Sequence, residues 1–278
     1  MYLGYEDAIR RQCPRNIEIM SATLDNISKQ DADILYDIVC DKLEAENIDT
    51  LNMLNYRYTY LNVKRNGDTF TFYDHDNSGS EENIYVLYFM TLEDYNHLNG
   101  SNVALSENEV IFYSAENSYQ YESLRLGAEE YSIKLMPSSF NIEERSIGSY
   151  ADLLYVVMAD ETAIENVYNM IAQGITPYTG LRLYIGFDLD MPIEDQDYIG
   201  QMIEQTITNG EGGRFDNVYV RIAAYISEDF FSMYGGLYFL AIFLGLVFIM
   251  AAVLIIYYKQ VSEGYEDKKK FEIMQRCV

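Results

Sequence analysis

The sequence predicts an α+β fold: a mixed-sheet, two-lobed extracellular domain followed by a transmembrane α-helix. Three observations carry this expectation. Segments with a period of two alternate with segments of helical period from residue 150 onward. Tyr is abundant, 27 residues with no Trp, and 49% of the chain is hydrophobic, enough to fill cores. From Gly235 to Tyr258 no charged side chain occurs at all.

Taken in order, the opening "MYLGYEDAIRRQCPRN" has no apolar stretch of signal-peptide length. Residues 1–14 are therefore expected to be a stalk following an upstream span missing from the sequence, and residues 15–230 the extracellular domain. A strand is expected near 16–22. A helix near 31–46 turns Leu35, Val39 and Leu43 inward, and a strand follows near 54–64. Residues 67–140 read as hairpins with one short helix near 91–98. "LLYVVM" (Leu153 to Met158) is apolar throughout, as in a strand covered on both faces. Asp160 can cap a helix carrying Ile164, Val167 and Ile171, with Gly174 at its end. "LRLYIGFDLD" alternates, with Leu181, Leu183, Ile185, Phe187 and Leu189 on one face and Arg182, Tyr184 and Asp188 on the other. Pro192 can open a helix with Ile199, Met202, Ile203 and Thr206 on one side, ending at Asn209-Gly210. "NVYVRIAAYI" reads as a last strand with Val218, Val220, Ile222, Ala224 and Ile226 on one face.

Charge divides the chain more sharply than its net value of −25 suggests. Residues 259–278 hold 5 Lys/Arg and 4 Asp/Glu, which leaves 19 − 5 = 14 Lys/Arg and 40 Asp/Glu before residue 235, a balance of −26. So acidic a domain argues against nucleic acid as a partner and suits cationic ligands. A helix over the uncharged Gly235–Tyr258 stretch would be roughly 36 Å long, enough for a hydrocarbon core of about 30 Å. Tyr234, Tyr238, Tyr257 and Tyr258 stand at its two ends, where such rings favour the headgroup level. The span is expected over 231–258. Lys259, Lys268, Lys269, Lys270 and Arg276 follow it, so the tail, 259–278, is expected in the cytoplasm and the domain outside the cell membrane.

Catalytic chemistry finds no support in the sequence. "DHDNSGSEEN" opens like a calcium loop at Asp74, Asp76, Ser78 and Gly79, but the twelfth position is Tyr85 rather than Glu, and strand-like segments flank it. It reads as a hairpin turn. His75 and His97 have no triad or metal spacing and read as surface residues. "GEGGR" (Gly210 to Arg214) lacks the phosphate-loop pattern and reads as a loop. Cys13 and Cys40 could form one disulfide, but unpaired thiols are the favoured reading, and Cys277 lies in the cytoplasmic tail. No catalytic, metal or cofactor-binding residue is assigned, no cofactor is expected, and the chain is not expected to be an enzyme.

In the tail, "YYKQVSEGYEDKKKFEIMQRCV" is helix-compatible apart from Gly264. Phe271, Met274 and Val278 recur at helical spacing beside Ile273 and Cys277, making a short amphipathic element that suits lipid or a protein groove. This segment resembles the one after the first span of an FtsX-type permease domain. The resemblance lies in Lys259, Glu263, Gly264, Tyr265, Glu266, Lys270, Phe271, Glu272, Ile273 and Met274. A large external α+β domain directly before that span is similar to the arrangement in Bce-type antimicrobial-peptide permeases, a branch of the MacB/FtsX superfamily of ABC transporters. "YEDAIRRQCPRNI" resembles their stalk.

The resemblance implies a partial permease subunit that relays the motion of a separate ABC ATPase to its extracellular domain, in transport of or resistance to antimicrobial peptides. It implies ATPase coupling at Lys270, Phe271, Glu272, Ile273, Met274 and Gln275. The lipid bilayer is the other expected partner, with a cationic peptide as the ligand. The alternative is a single-pass anchored sensor or ligand-binding module.

Overall fold

The computed structural model describes residues 10, 13–22, 26–73, 83–114, 119–140, 142, 152–210 and 214–276. By packing the chain divides into two units, Met1–Ile226 and Ser227–Val278.

The first unit is mixed α/β, built on one large mixed sheet of ten strands. Its base layer pairs β1 (Ile17–Ser21), β2 (Thr50–Asn66), β9 (Arg182–Leu189) and β10 (Val218–Ile222) in the order β10-β1-β9-β2, every neighbour antiparallel. Two helices join these strands, α1 (Lys29–Ala45) between β1 and β2 and α4 (Ile193–Asn209) between β9 and β10. Each strand–helix–strand unit leaves a gap filled by a strand of the other, two interleaved split βαβ units. Helix α1 starts at Ser28, whose hydroxyl accepts from the Asp31 N–H at 3.1 Å. It buries Leu35, Val39 and Leu43, as its periodicity predicts, against Ile17, Ile19, Leu183, Ile185 and Phe187, together with Ile199 and Ile203 of α4. The opposite face of β9 is no solvent face: Tyr184 there is fully buried.

Strand β2 then leaves this layer. It pairs with β9 through Tyr58↔Arg182 and with β4 (Ile84–Thr91) from Thr59↔Phe89 onward. The remaining strands are β3 (Thr69–Phe72), β5 (Glu109–Ser114), β6 (Ser123–Leu126), β7 (Glu129–Leu135) and β8 (Asp152–Met158). Pairing runs β2-β3-β6-β7-β5-β8-β4 and returns to β2, so this part of the sheet closes into a ring. Closure needs only the short parallel contact Thr69↔Arg125 and Phe70↔Leu126. Two tight hairpins serve the ring, β2–β3 through Gly67-Asp68 and β6–β7 through Gly127-Ala128, with φ of +65° and +66° at the two glycines.

Alternation sorts the ring's side chains. Leu61, Val63, Phe70, Leu87, Phe89, Phe112, Leu124 and Val156 share one core with helix α3 (Glu161–Ala172), which contributes Ile164, Val167 and Ile171. Asp160 caps α3 as expected, accepting from the Ala163 N–H at 2.8 Å. Tyr88, Met90, Ile111, Tyr155 and Val157 face the other way, into a core with Tyr95 of helix α2 (Leu92–Asn99) and Phe140. The "LLYVVM" strand is thus covered on both sides.

Arg57 stands one residue before β2 ends its pairing with β9, and it is 4% exposed. Its guanidinium reaches Asp94 Oδ2 in the first turn of α2 and Glu161 Oε2 in the first turn of α3, each at 3.4 Å. Asp94 also accepts from the Thr91 hydroxyl at 2.6 Å, and the Asp94 N–H returns to that hydroxyl, a reciprocal cap on α2. Burial pushes the Asp94 carboxyl above its ordinary range, with Arg57 and Thr91 pulling against it. One cation thereby ties both ring helices to the strand shared by the two lobes.

The fold corrects two sequence readings. Strands β3 and β4 both pair with β2, on opposite edges, at Val63↔Phe72 and Val63↔Tyr85. The link between them is a crossover past β2 rather than a hairpin turn; Asp74, His75, Asp76, Ser78 and Gly79 themselves lie outside the described residues. The last strand stops at Ile222, and Ala224 and Ile226 are helical. β1 begins at Ile17, soon after Pro14, so among the described residues no strand remains for them to pair with.

Candidate functional site at the base of the domain and along the apolar helix

The first and last strands of the first unit are neighbours. β1 and β10 run antiparallel with Ile17 opposite Ile222, so the start of one adjoins the end of the other. Asn16 joins them. Its carbonyl accepts from the Ala223 N–H at 2.9 Å, its side-chain Oδ1 accepts from the Leu189 N–H at 2.9 Å, and its own N–H donates to Asp188 Oδ1 at 3.2 Å.

Asp188 gathers the entering segment. Arg15 Nη1 lies 2.8 Å from its Oδ2 and Arg10 Nη1 3.1 Å from its Oδ1. Asn52 Nδ2 donates to Oδ2 at 3.1 Å, from a left-handed residue (φ +52°) at the irregularity in β2 between Leu51 and Leu54. Burial pushes the Asp188 carboxyl up, but the hydrogen bonds from Asn52, Arg15 and Arg10 outweigh it and hold the group below the usual carboxylate range.

Beside this node Glu18 has no exposed surface and is the register partner of Arg221. Its Oε2 sits 3.6 Å from Arg221 Nη1 and 3.5 Å from Cys13 Sγ, and Oε1 accepts from the Tyr184 hydroxyl at 3.0 Å. Tyr184 reaches that far by lying against Gly186, where a Cβ would stand 2.3 Å from the phenolic oxygen. Cys13 is buried beside Ala223 and Ile226, and Cys40 is a free thiol, half-buried on α1.

Helix α5 (Ala223–Arg276) continues directly from β10 and contains one stretch long and apolar enough to cross a membrane, Tyr234–Phe271. None of the most apolar window is buried. Leu240, Phe243, Phe248, Leu254 and Ile255 all stand exposed, as expected of side chains meant for lipid or other helices. The tail is not a separate surface helix: α5 runs without interruption through Gly264, which costs only about 1 kcal/mol relative to Ala. The 18 residues from Lys259 to Arg276 would extend the rod by roughly 27 Å.

All of Lys270–Gln275 falls on this helix. Lys270, Phe271, Ile273 and Met274 are exposed, and Lys270 lies 3.8 Å from Asp267; the side chains of Glu272 and Gln275 lie outside the described set. Phe271 and Met274 share one side of the helix with Lys270 flanking Met274, a surface able to meet a groove carrying both apolar and acidic groups. His97 is exposed in the last turn of α2, while His75 and residues 211–213 of "GEGGR" are outside the described residues. Among the described residues no group of His, Cys, Asp and Glu could hold a metal ion.

Neither the Asn16–Asp188 node nor the Arg57 cluster was read from the sequence. Asp188 is one of many acids in an acidic chain, and Arg57 sits unmarked inside the alternating "LNYRYTYL". A charged residue at an inward-facing strand position was the only available signal.

No family model and no curated protein matches the chain. Among solved structures it is similar to a candidate lipoprotein from Bacillus anthracis, at 8% identity and a TM-score of 0.31 over 68% of this chain and 92% of that one. It is also similar to the periplasmic region of MacB from Actinobacillus actinomycetemcomitans, at 8% identity and a TM-score of 0.33 over 82% of this chain and 97% of that one.

Proposed function

We propose that this chain is part of a transmembrane permease subunit of an FtsX-like ABC transporter. Its mixed-sheet domain lies outside the cell membrane and its tail in the cytoplasm. The observation that carries the reading is the hydrogen bond from Ala223 to Asn16, with α5 following at once. A domain whose incoming and outgoing segments meet at one point suits insertion between two spans, and a helix continuous with its last strand can carry motion into it. ATP is hydrolysed by a separate ATPase subunit, and the chain itself is no enzyme. Lys270, Phe271, Glu272, Ile273, Met274 and Gln275 form the contact with that ATPase. The transported or sensed ligand is a cationic antimicrobial peptide, drawn by the −26 balance of the region before residue 235.

Site-specific photocrosslinking from position 274 in native membranes tests the coupling. The expected product joins the chain to a protein carrying a phosphate-loop ATPase domain. Adducts to lipid alone, or a reporter fused behind Val278 that responds only outside the cell, would overturn the reading. The ligand is tested separately: a cationic peptide should bind the purified chain and lose affinity as salt rises.

A further inference from the structure

We propose that Asn16 and Asp188 form a single joint through which a displacement of the entering segment reaches strand β9 and the first residue of α5 together. The three polar groups named above on Asn16 bind two elements: its N–H goes to Asp188 and its side-chain oxygen to Leu189, both at the end of β9, and its carbonyl to Ala223, the first residue of α5. Asp188 in turn holds Arg15 and Arg10 of the entering segment and Asn52 of β2.

The joint therefore meets an interior strand of the base layer and the strand that leaves that layer for the ring. β9 lies between β1 and β2 in the base layer, and β2 continues from that layer into the closed ring. A pull on the entering segment that ended at β1 alone would load a five-residue strand at its first residue. Through Asp188 it also loads β9 and the irregular start of β2. A charged acceptor suits this role because hydrogen bonds to an ionised carboxylate are about twice as strong as neutral ones. Asp188 and Asn16 act here as positioning residues. The use of the joint rests on the relay reading above, whereas its existence does not.

Hydrogen exchange resolved to single amides, on the full chain in detergent micelles without ATPase, tests the joint. In Asp188→Asn the amides of Leu189 and Ala223 should both exchange about tenfold faster or more, as expected for loss of bonds to a charged group. Ile203, in the α4 core, should keep its wild-type rate. The Ala223 amide is the decisive readout, because it makes no bond to Asp188 and a purely local role for the carboxylate would leave it unmoved. Should this variant fail to fold, Arg15→Gln removes the 2.8 Å ion pair while keeping the carboxylate, and the same two amides should accelerate together. A wild-type rate at Ala223, or acceleration at Ile203 equal to that at Leu189, overturns the proposal. The photocrosslinking result bears on the permease reading alone, so the two can fail separately.

Discussion

Replacing Arg57 by Met separates the work of its charge from that of its packing. The side chains of Arg57 and Asp94 are 5% and 6% exposed, so deleting the guanidinium strands a buried carboxylate. The Thr91 hydroxyl at 2.6 Å and the Arg57 backbone N–H at 3.3 Å remain as its donors. Breaking a buried pair from one side costs about 3–5 kcal/mol. Both guanidinium contacts here are 3.4 Å, longer than a strong charge-assisted bond, and Arg57 Nε has no hydrogen-bond partner among the described residues. Glu161, 34% exposed, can turn to water. The lower end applies, about 3 kcal/mol, and Met retains much of the stem's packing. For a domain of this size that lowers Tm by about 6–12 °C. With no Trp and 27 Tyr, near-ultraviolet circular dichroism of the detergent-solubilised chain reports the loss of tertiary packing. Adding Asp94→Asn should recover about 1–2 kcal/mol by removing the stranded charge. The loss should also shrink in acid. Burial already raises the Asp94 pKa, and a raised carboxylate pKa favours the fold at low pH and costs stability as pH climbs through it. A single variant within about 1 kcal/mol of wild type, or a double variant no more stable than the single, would refute the reasoning.

Three further outcomes are expected. Gly186→Ala should push Tyr184 off Glu18, since the new Cβ would stand 2.3 Å from the phenolic oxygen, and cost about 1–3 kcal/mol in urea unfolding; Tyr184→Phe in the alanine background should then cost little more. Glu109, bonded to Lys134 at 2.8 Å and to the Ser106 N–H at 2.7 Å, has its pKa lowered to about 2 from 4.5, so its contribution is present above 4.5 and fades as pH falls toward 2. The difference in Tm between wild type and Glu109→Gln should narrow across that window, and a constant difference would sink the assignment. Gly264→Pro should break α5 within the tail, between the uncharged Gly235–Tyr258 stretch and position 274, abolishing any crosslink from position 274 while leaving the Tm of the first unit unchanged.

What could be read from the sequence follows from the range of the interactions involved. Periodicity is local, so α1 and α3 were legible with their inward residues, Leu35 with Val39 and Ile164 with Val167, and so was the uncharged stretch of α5. Caps are local too, and Asp160 was read correctly. Strand partnership is not local. The expected turn between β3 and β4 failed because β2 is long enough to offer both edges, and nothing within residues 67–91 records that. The strand read through Ile226 failed for a related reason: "AAYI" satisfies a period of two, but a strand needs a neighbour, and β1 supplies none before Ile17. The base node is more distant still. Asn16 and Asp188 are 172 positions apart, and their meeting depends on β9, which follows every strand of the ring in the sequence, lying beside β1. If the proposed joint operates, the segment before β1 is fastened through Asp188 to β9 and β2, so motion reaching Asn16 would load the base layer and, along β2, the ring.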